Sequence, residues 1–487
     1  MSETWGEQQL KGVVGVVATP AGLRSLRALL AAVPSGLGLA FVVCGVPDVG
    51  DLPAHPVVGV TVLRPGEVYL TVSGRVRVSG ATLSAPAPAA PPDPLQADRL
   101  LVDLAEAWEH RLLAVILAGP GAAGAVGLRA VHARGGVVLA ETPTEGPAGD
   151  AARHALRTGF VDRAAPIDEL PALIERGIDA AAPSSLLADG DVPRLAQVIR
   201  QLERVTGHDL TCYDPGLVVR RVSRRMRLAG ASDPEAYAAA LEGDPGEAEQ
   251  LFRQVHAVEL RLFDGLDPLV PDLRRLLAGG APDPLRAWCV GVGTGEEPYA
   301  LAAVLLEQLG PSAAPGALEV VATDLHEPSL RQAHAGRFPR GIALDVTASR
   351  LGRFFERDGE EWVAGEALRR AVRFVRHDLL QDPPLTGQHV VCCRDQLGRL
   401  APEHRRAATE RLRSALVPDG VLLIDRSFSV QGPSRRAAWR ARRRCRRTAA
   451  PAPCSASASR ACCRPPPPAP CRPATPRASC RPSSPRR

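Results

Sequence analysis

The chain has 487 residues, 45% of them hydrophobic, enough for about three domains with ordinary buried cores. No apolar run approaches the roughly 20 residues of a membrane span, and the opening MSETWGEQQLKG lacks the basic-then-apolar order of a secretory signal, so no membrane insertion is expected and the cytoplasm is the default. The net charge of +6 comes from the end of the chain, where fifteen arginines lie in 431–487 and no acid follows Asp425, leaving −9 for the rest and no basic face of the kind a folded nucleic-acid binder shows.

From Gly12 to about residue 180, apolar runs alternate with helical patterns. GVVGVVAT, LAFVVCGV, LLAVILAG and GVVLAE read as buried strands; AGLRSLRALLAAV, DRLLVDLAEAWEH and AVGLRAVHARG read as helices. That alternation predicts a parallel sheet with helices on both faces over 12–180, interrupted by the Pro/Ala connector APAPAAPPDP. The text from Asp191 to Ala278 contains no strand and predicts a small all-helical domain over 193–275. Alternation resumes at Pro284: RAWCVGVGTG, LEVVATD, HVVCCR and GVLLID read as strands of a second doubly wound sheet over 284–430.

The fold class expected is therefore α/β: two doubly wound α/β domains separated by a small all-helical domain, then a disordered tail. The tail, 431–487, is an Arg/Pro/Ala/Ser/Cys mixture that cannot bury a core. A shifted reading frame in GC-rich DNA would give the same mixture. Six of the eleven cysteines lie there (Cys445, Cys454, Cys462, Cys463, Cys471, Cys480), at spacings that fit no zinc pattern. No metal site is expected.

The sharpest motif is Val290-Gly291-Val292-Gly293-Thr294-Gly295-Glu296-Glu297-Pro298-Tyr299. Alternating glycines between a strand and a helix let the backbone turn tightly and approach a ligand; Gly295 is expected where the chain passes closest to it. Asp324 ends the next strand, where a carboxylate can accept hydrogen bonds from ribose hydroxyls. No GxxxxGK[ST] is present, which excludes a P-loop.

GVGTGEEPY, ATD at 322–324, HDL at 377–379, DPP at 382–384 and CCRD at 392–395 resemble, in order, the motifs of the CheR-type chemoreceptor methyltransferases. TGHDLTCYDPGLVVRRVSRRM upstream, with Tyr213 and Arg220-Arg221…Arg224-Arg225-Met226, is similar to that family's helical domain. The resemblance implies methyl transfer from S-adenosylmethionine to glutamates on the cytoplasmic helices of methyl-accepting chemoreceptors. It implies that Gly291, Gly293, Thr294 and Gly295 cradle the cofactor, that Glu296 lies near its positive end, and that Asp324 holds the ribose. Asp378, Leu379 and Asp395 would surround the adenine and the sulfonium. The arginine run reads either as a solvated helix face or as an electrostatic dock for acidic receptor helices. Four positions depart from the family: its NVTxFFRD threonine is Glu259 and its arginine Phe263, with Arg261 two positions away on another face; its CRN asparagine is Asp395, and a following tyrosine is Arg399.

GVVGVVATPAGLRSLRALL, PGEVYL at 65–70 and LAVILAGPGAAGAVGLRAVHARGGVVLAE resemble the CheB-type methylesterase domain. That activity needs a hydroxyl nucleophile, a histidine base and an orienting aspartate. Here the three positions hold Thr19, Gly45 and Ala123, and Glu67 replaces the histidine of PGHVY; His55 is the nearest histidine in sequence. The expectation is a vestigial esterase. No phosphoacceptor segment precedes Gly12, so control by aspartyl phosphorylation is not expected. Two wider readings stand beside the methyltransferase: a non-catalytic scaffold of a chemosensory pathway, and nucleic-acid binding through the tail, which has charge but no aromatic platform behind it.

Overall fold

The computed structural model describes residues 10–72, 74–85, 93–181, 195–256, 261–311, 313–425 and 428–431. Glu259 and the tail beyond Gln431 lie outside the described residues. No helix among those described is long and apolar enough to cross a membrane.

The first sheet has seven strands in the spatial order Arg163–Ala165, Val137–Glu141, Leu112–Ile116, Gly12–Val17, Leu39–Cys44, Val68–Thr71, His55–Pro56, every pair parallel. Gly12–Val17 is buried along its length because both faces are covered, as parallel sheets require. Val13 and Val17 pack with Leu101 and Trp108 on one face. Val14 and Val16 pack with Leu26, Leu29 and Ile174 on the other. The strands Val68–Thr71, His55–Pro56 and Arg163–Ala165, and a small antiparallel sheet of Gly59–Val62, Thr82–Ala85 and Arg77–Ser79, were not among the elements expected.

Helices follow: Ala196–Thr206, Pro215–Ala229, Pro234–Gly243 and Pro245–His256. The last three begin at Asp-Pro pairs. Asp214 accepts from the Leu217 amide at 2.9 Å, Asp233 from Ala236 at 2.8 Å and Asp244 from Gly246 at 2.9 Å. An aspartate cap followed by a proline that needs no amide partner is a strong local start signal. The helices bury Leu202, Val222, Tyr237 and Leu251 against Trp288, Val391 and Leu422 of the second sheet.

That sheet runs Val372–Arg376, Leu318–Asp324, Leu285–Val290, Gln388–Cys392, Leu416–Asp425, Phe428–Gln431, parallel except for the last pair. In chain order this is 3-2-1-4-5-6. The order reverses beside Leu285–Val290, so the glycine loop leaves the sheet at its switch point, where doubly wound folds bind ligands. A three-stranded antiparallel sheet of Arg337–Pro339, Glu361–Ala364 and Phe355–Asp358 flanks it.

Buried ion pairs join the first sheet's edge to the helical domain and run on within it, and these overturn the docking role for part of the arginine run. Arg224 lies on Asp162 of the first sheet's edge, with Nε to Oδ1 at 2.8 Å. Asp162 is fully buried and also accepts from Gln254 Nε2 and the Val138 amide, each at 2.7 Å. Arg225 is 1% exposed; its Nε donates to Glu247 at 2.8 Å, and Glu247 also receives Tyr237 Oη at 2.6 Å and Arg163 at 3.2 Å. Arg224 and Arg225 are interior cations held by carboxylates, not a surface for receptor helices. Arg220 is exposed.

Candidate functional site: the cleft at the switch point

Leu318–Asp324 ends with Asp324 pointing back at the glycine loop. Its Oδ2 accepts from the Gly293 amide at 2.8 Å and its Oδ1 from the His326 amide at 2.9 Å. Burial raises its pKa, and the two amides oppose that by favouring the charged form. A carboxylate has about four lone-pair sites, so these two amides leave room for further donors.

Gly293, Thr294 and Asp324 face a cleft of about 240 Å³. Three residues that carried no expectation face it too. His326 caps the helix Glu327–Ala335 and holds Glu249 through Nε2 at 2.5 Å. His256 Nδ1 donates to the Phe252 carbonyl at 2.8 Å, so its Nε2 accepts from Tyr213 Oη at 2.5 Å, and burial lowers its pKa to about 3. Among the described residues Arg253 has a buried Nε without a partner, and its Nη1 reaches only the Leu156 carbonyl at 3.5 Å. Burial lowers its pKa as well.

The other site residues lie around this cleft rather than on it. Gly291 has φ +71°, and a Cβ there would stand 1.9 Å from Gln396 Cγ. Gly295 has φ +98°, and its Cβ would press on Ala333 at 2.9 Å, so the turn and its packing against a neighbouring helix already demand glycine there. Glu296 receives the Thr294 hydroxyl at 2.7–2.8 Å and borders a second, smaller cleft with Arg129 and Arg157; burial raises its pKa. Asp378 caps its own turn, accepting from the Leu380 amide at 2.7 Å. Leu379 packs on the helical core. Asp395 is paired with Arg399 at 2.6 Å.

The departures have structural places. Phe263 is 6% exposed in the second-sheet core with Arg350 over its ring at 4.4 Å, Arg350 being held by Glu307 and Asp267. Arg261 is exposed. Below the loop, Cys289, Glu297 and Cys392 come close enough to suggest a metal trio. Glu297 is already neutralised by Arg394, and burial pushes both thiols up and keeps them protonated. A second cation there would face the guanidinium.

In the first domain, Thr19 Oγ1 is buried and has no hydrogen-bond partner among the described residues, so none of these brings a base to it. Gly45 has φ +93°, and a Cβ on it would lie 2.0 Å from the Ala18 carbonyl oxygen. Cys44 beside it is pushed up to about 12 by burial. His55 is exposed and sits 3.7 Å from Glu67.

Three family models match in succession: CheB methylesterase over residues 14–174, the CheR methyltransferase all-alpha domain over 193–255, and the CheR methyltransferase SAM binding domain over 259–441. The chain joins a CheB-family domain to a CheR-family methyltransferase. An uncharacterized 104.1 kDa protein in the hypE 3' region of Rhodobacter capsulatus is 30% identical over 371 residues, 69% of this chain and 38% of that protein. Chemotaxis protein methyltransferase 2 of Pseudomonas aeruginosa is 33% identical over 242 residues, 47% of this chain and 84% of its own length. The probable biofilm formation methyltransferase WspC of the same organism is 28% identical over 232 residues, 46% of this chain and 54% of its own. The chain thus spans well under half of the Rhodobacter protein. The Thermotoga maritima CheB methylesterase catalytic domain aligns with 34% of this chain and 97% of its own at 21% identity and a TM-score of 0.29.

Proposed function

We propose that this CheB–CheR fusion methylates glutamate side chains on the cytoplasmic helices of chemoreceptors, with S-adenosylmethionine as donor, and that its methylesterase domain does not hydrolyse the product. The observation that carries the first part is Asp324, fixed by the Gly293 amide at the switch point with lone pairs left over for a ribose diol. The cleft suits the donor: besides that carboxylate it offers a guanidinium with an unpartnered Nε, and S-adenosylmethionine carries both a diol and a carboxylate.

When bound, the donor supplies a methyl group on a sulfonium, which the receptor carboxylate displaces. The protein's share is placement. Asp324 and the loop amides orient the ribose, Arg253 faces the carboxylate end, and the enclosing walls hold the reactants in line, which is where most of the rate gain of such a displacement comes from. For the second part, Thr19 lacks a base, Gly45 leaves no room for one, and Ala123 offers no orienting carboxylate. This reading places the chain on the cytoplasmic side of the membrane.

The deciding measurement is transfer of labelled methyl from S-adenosylmethionine to a purified receptor signalling domain, beside calorimetric titration with S-adenosylhomocysteine. Binding without transfer would leave a donor-binding scaffold. Absence of both would refute the methyltransferase reading.

A further inference from the structure

The cleft at the switch point is not built by the methyltransferase alone. Leu156, Arg157, Thr158 and Gly159 of the first domain line it together with Asp324 and Arg253. They form the end of the helix Asp150–Arg157 and the turn after it, which is closed by Thr158 Oγ1 on the Ala155 carbonyl at 2.6 Å. The Leu156 carbonyl is the hydrogen-bond acceptor of Arg253, and the Gly159 backbone lies against the stem of the same arginine: a Cβ on Gly159 would be 3.3 Å from Arg253 Cδ.

This turn is fixed on both sides, to the helical domain and to the second α/β domain. On one, Asp162 binds Arg224 and Gln254, the latter adjacent in sequence to Arg253. On the other, Glu361 receives His154 Nε2 at 3.1 Å and pairs with Arg157, while Arg129 meets Asp345 at 2.5 Å. Partly or fully buried ion pairs are costly to open once formed, because each separated partner is left as an uncompensated charge. The wall therefore stays seated.

We propose that the methylesterase-family domain serves as one wall of the methyl-donor cleft, its Leu156–Gly159 turn closing the site opposite Asp324 and holding Arg253 in place. This rests on the cleft being the donor site, as argued above. A domain without an activated nucleophile then still contributes to the reaction, because donor affinity in this chain is a property of both halves.

The full chain is used for the test, with S-adenosylhomocysteine as probe. Amide exchange followed by mass spectrometry should slow in peptides covering 156–160 as well as in those covering 291–296 when the probe is added. Thr158→Trp should weaken binding by about tenfold or more, because the added ring would occupy part of the cleft that Thr158 lines. The same bulk at exposed Glu106, by Glu106→Trp, should leave it unchanged. Protection limited to 291–296, or full affinity in folded Thr158→Trp, overturns the proposal while leaving the donor site standing. Should Thr158→Trp fail to fold, exchange on the unaltered chain decides. If the unaltered chain binds no probe, or Asp324→Ala binds it undiminished, the donor-site reading itself has failed, and the wall with it.

Discussion

Removing the carboxylate of Asp162 should cost more stability than any single truncation on the protein's surface. Asp162 is fully buried and carries four donors: Arg224 through Nε and Nη2, Gln254 Nε2, and the Val138 amide. In Asp162→Ala the Arg224 guanidinium, 7% exposed, keeps only the Gly135 and Gly136 carbonyls. Breaking a buried pair by deleting one partner costs about 3–5 kcal/mol, chiefly from the charge left behind. The orphaned Val138 amide adds about 1–3 kcal/mol, part of which relaxation recovers. A net loss of about 4 kcal/mol is expected, a large share of the ~5–15 kcal/mol that holds a domain folded. Urea unfolding followed by far-ultraviolet circular dichroism measures it as a fall in midpoint. Arg224→Met in the Asp162→Ala background should return about half or more of the loss, since an apolar replacement of both partners is far less costly than a lone buried charge. A loss below about 1 kcal/mol, the level of an exposed pair, would mean that water reaches Asp162 and that the two domains do not stay closed.

Four further outcomes are expected. Asp324→Ala should weaken S-adenosylhomocysteine binding by about tenfold to hundredfold, the equivalent of roughly 1.5–3 kcal/mol for a charge-assisted hydrogen bond, read by titration calorimetry. Arg253→Ala should weaken S-adenosylhomocysteine by a similar factor yet leave 5'-methylthioadenosine, which lacks the carboxylate, unaffected; equal losses for both would make Arg253 merely structural. His256 is held neutral with its pKa lowered to about 3 against 6.5 when unfolded, so its contribution is complete above pH 6.5 and declines below it as the unfolded chain takes up the proton, by about 1.4 kcal/mol per pH unit; by pH 5 about 2 kcal/mol should be gone, and His256→Gln should flatten that part of the stability–pH curve. Methanol release from a methylated receptor should stay at background with the intact chain, and Thr19→Ala should not change it.

The buried parallel strands could be read from the sequence because a strand covered on both faces is apolar at every position, as Gly12–Val17 and Leu112–Ile116 are. Val372–Arg376 could not. It is the sheet's edge strand, paired only with Leu318–Asp324, and Arg373, Val375 and Arg376 face solvent, so it reads like the charged helix before it. The small antiparallel sheets were missed for the same reason, being short and half exposed. Asp324 and the glycine loop announce themselves because a turn and its hydrogen-bond partner are set by local backbone geometry. Arg224 and Arg253 do not. Asp162, which neutralises Arg224, lies 62 residues away, and the Leu156 carbonyl that meets Arg253 lies 97 away. Nothing in a run of arginines tells a wet face from an interior one when the carboxylates come from another domain.

The backbone at Gly45 limits what a histidine placed in the first domain could do. With φ +93° and the Ala18 carbonyl 2.0 Å from where a Cβ would stand, the loop has settled into a shape open to glycine and to no residue with a side chain. Installing histidine there, even with serine at 19 and aspartate at 123, would force the end of Leu39–Cys44 to move before any base could reach a nucleophile. On the proposed reading, a working triad would need the main chain at Gly45 reshaped as well. A swap of three side chains is then too little, and mutational scans of the first domain that change one residue at a time should find no variant that releases methanol above background.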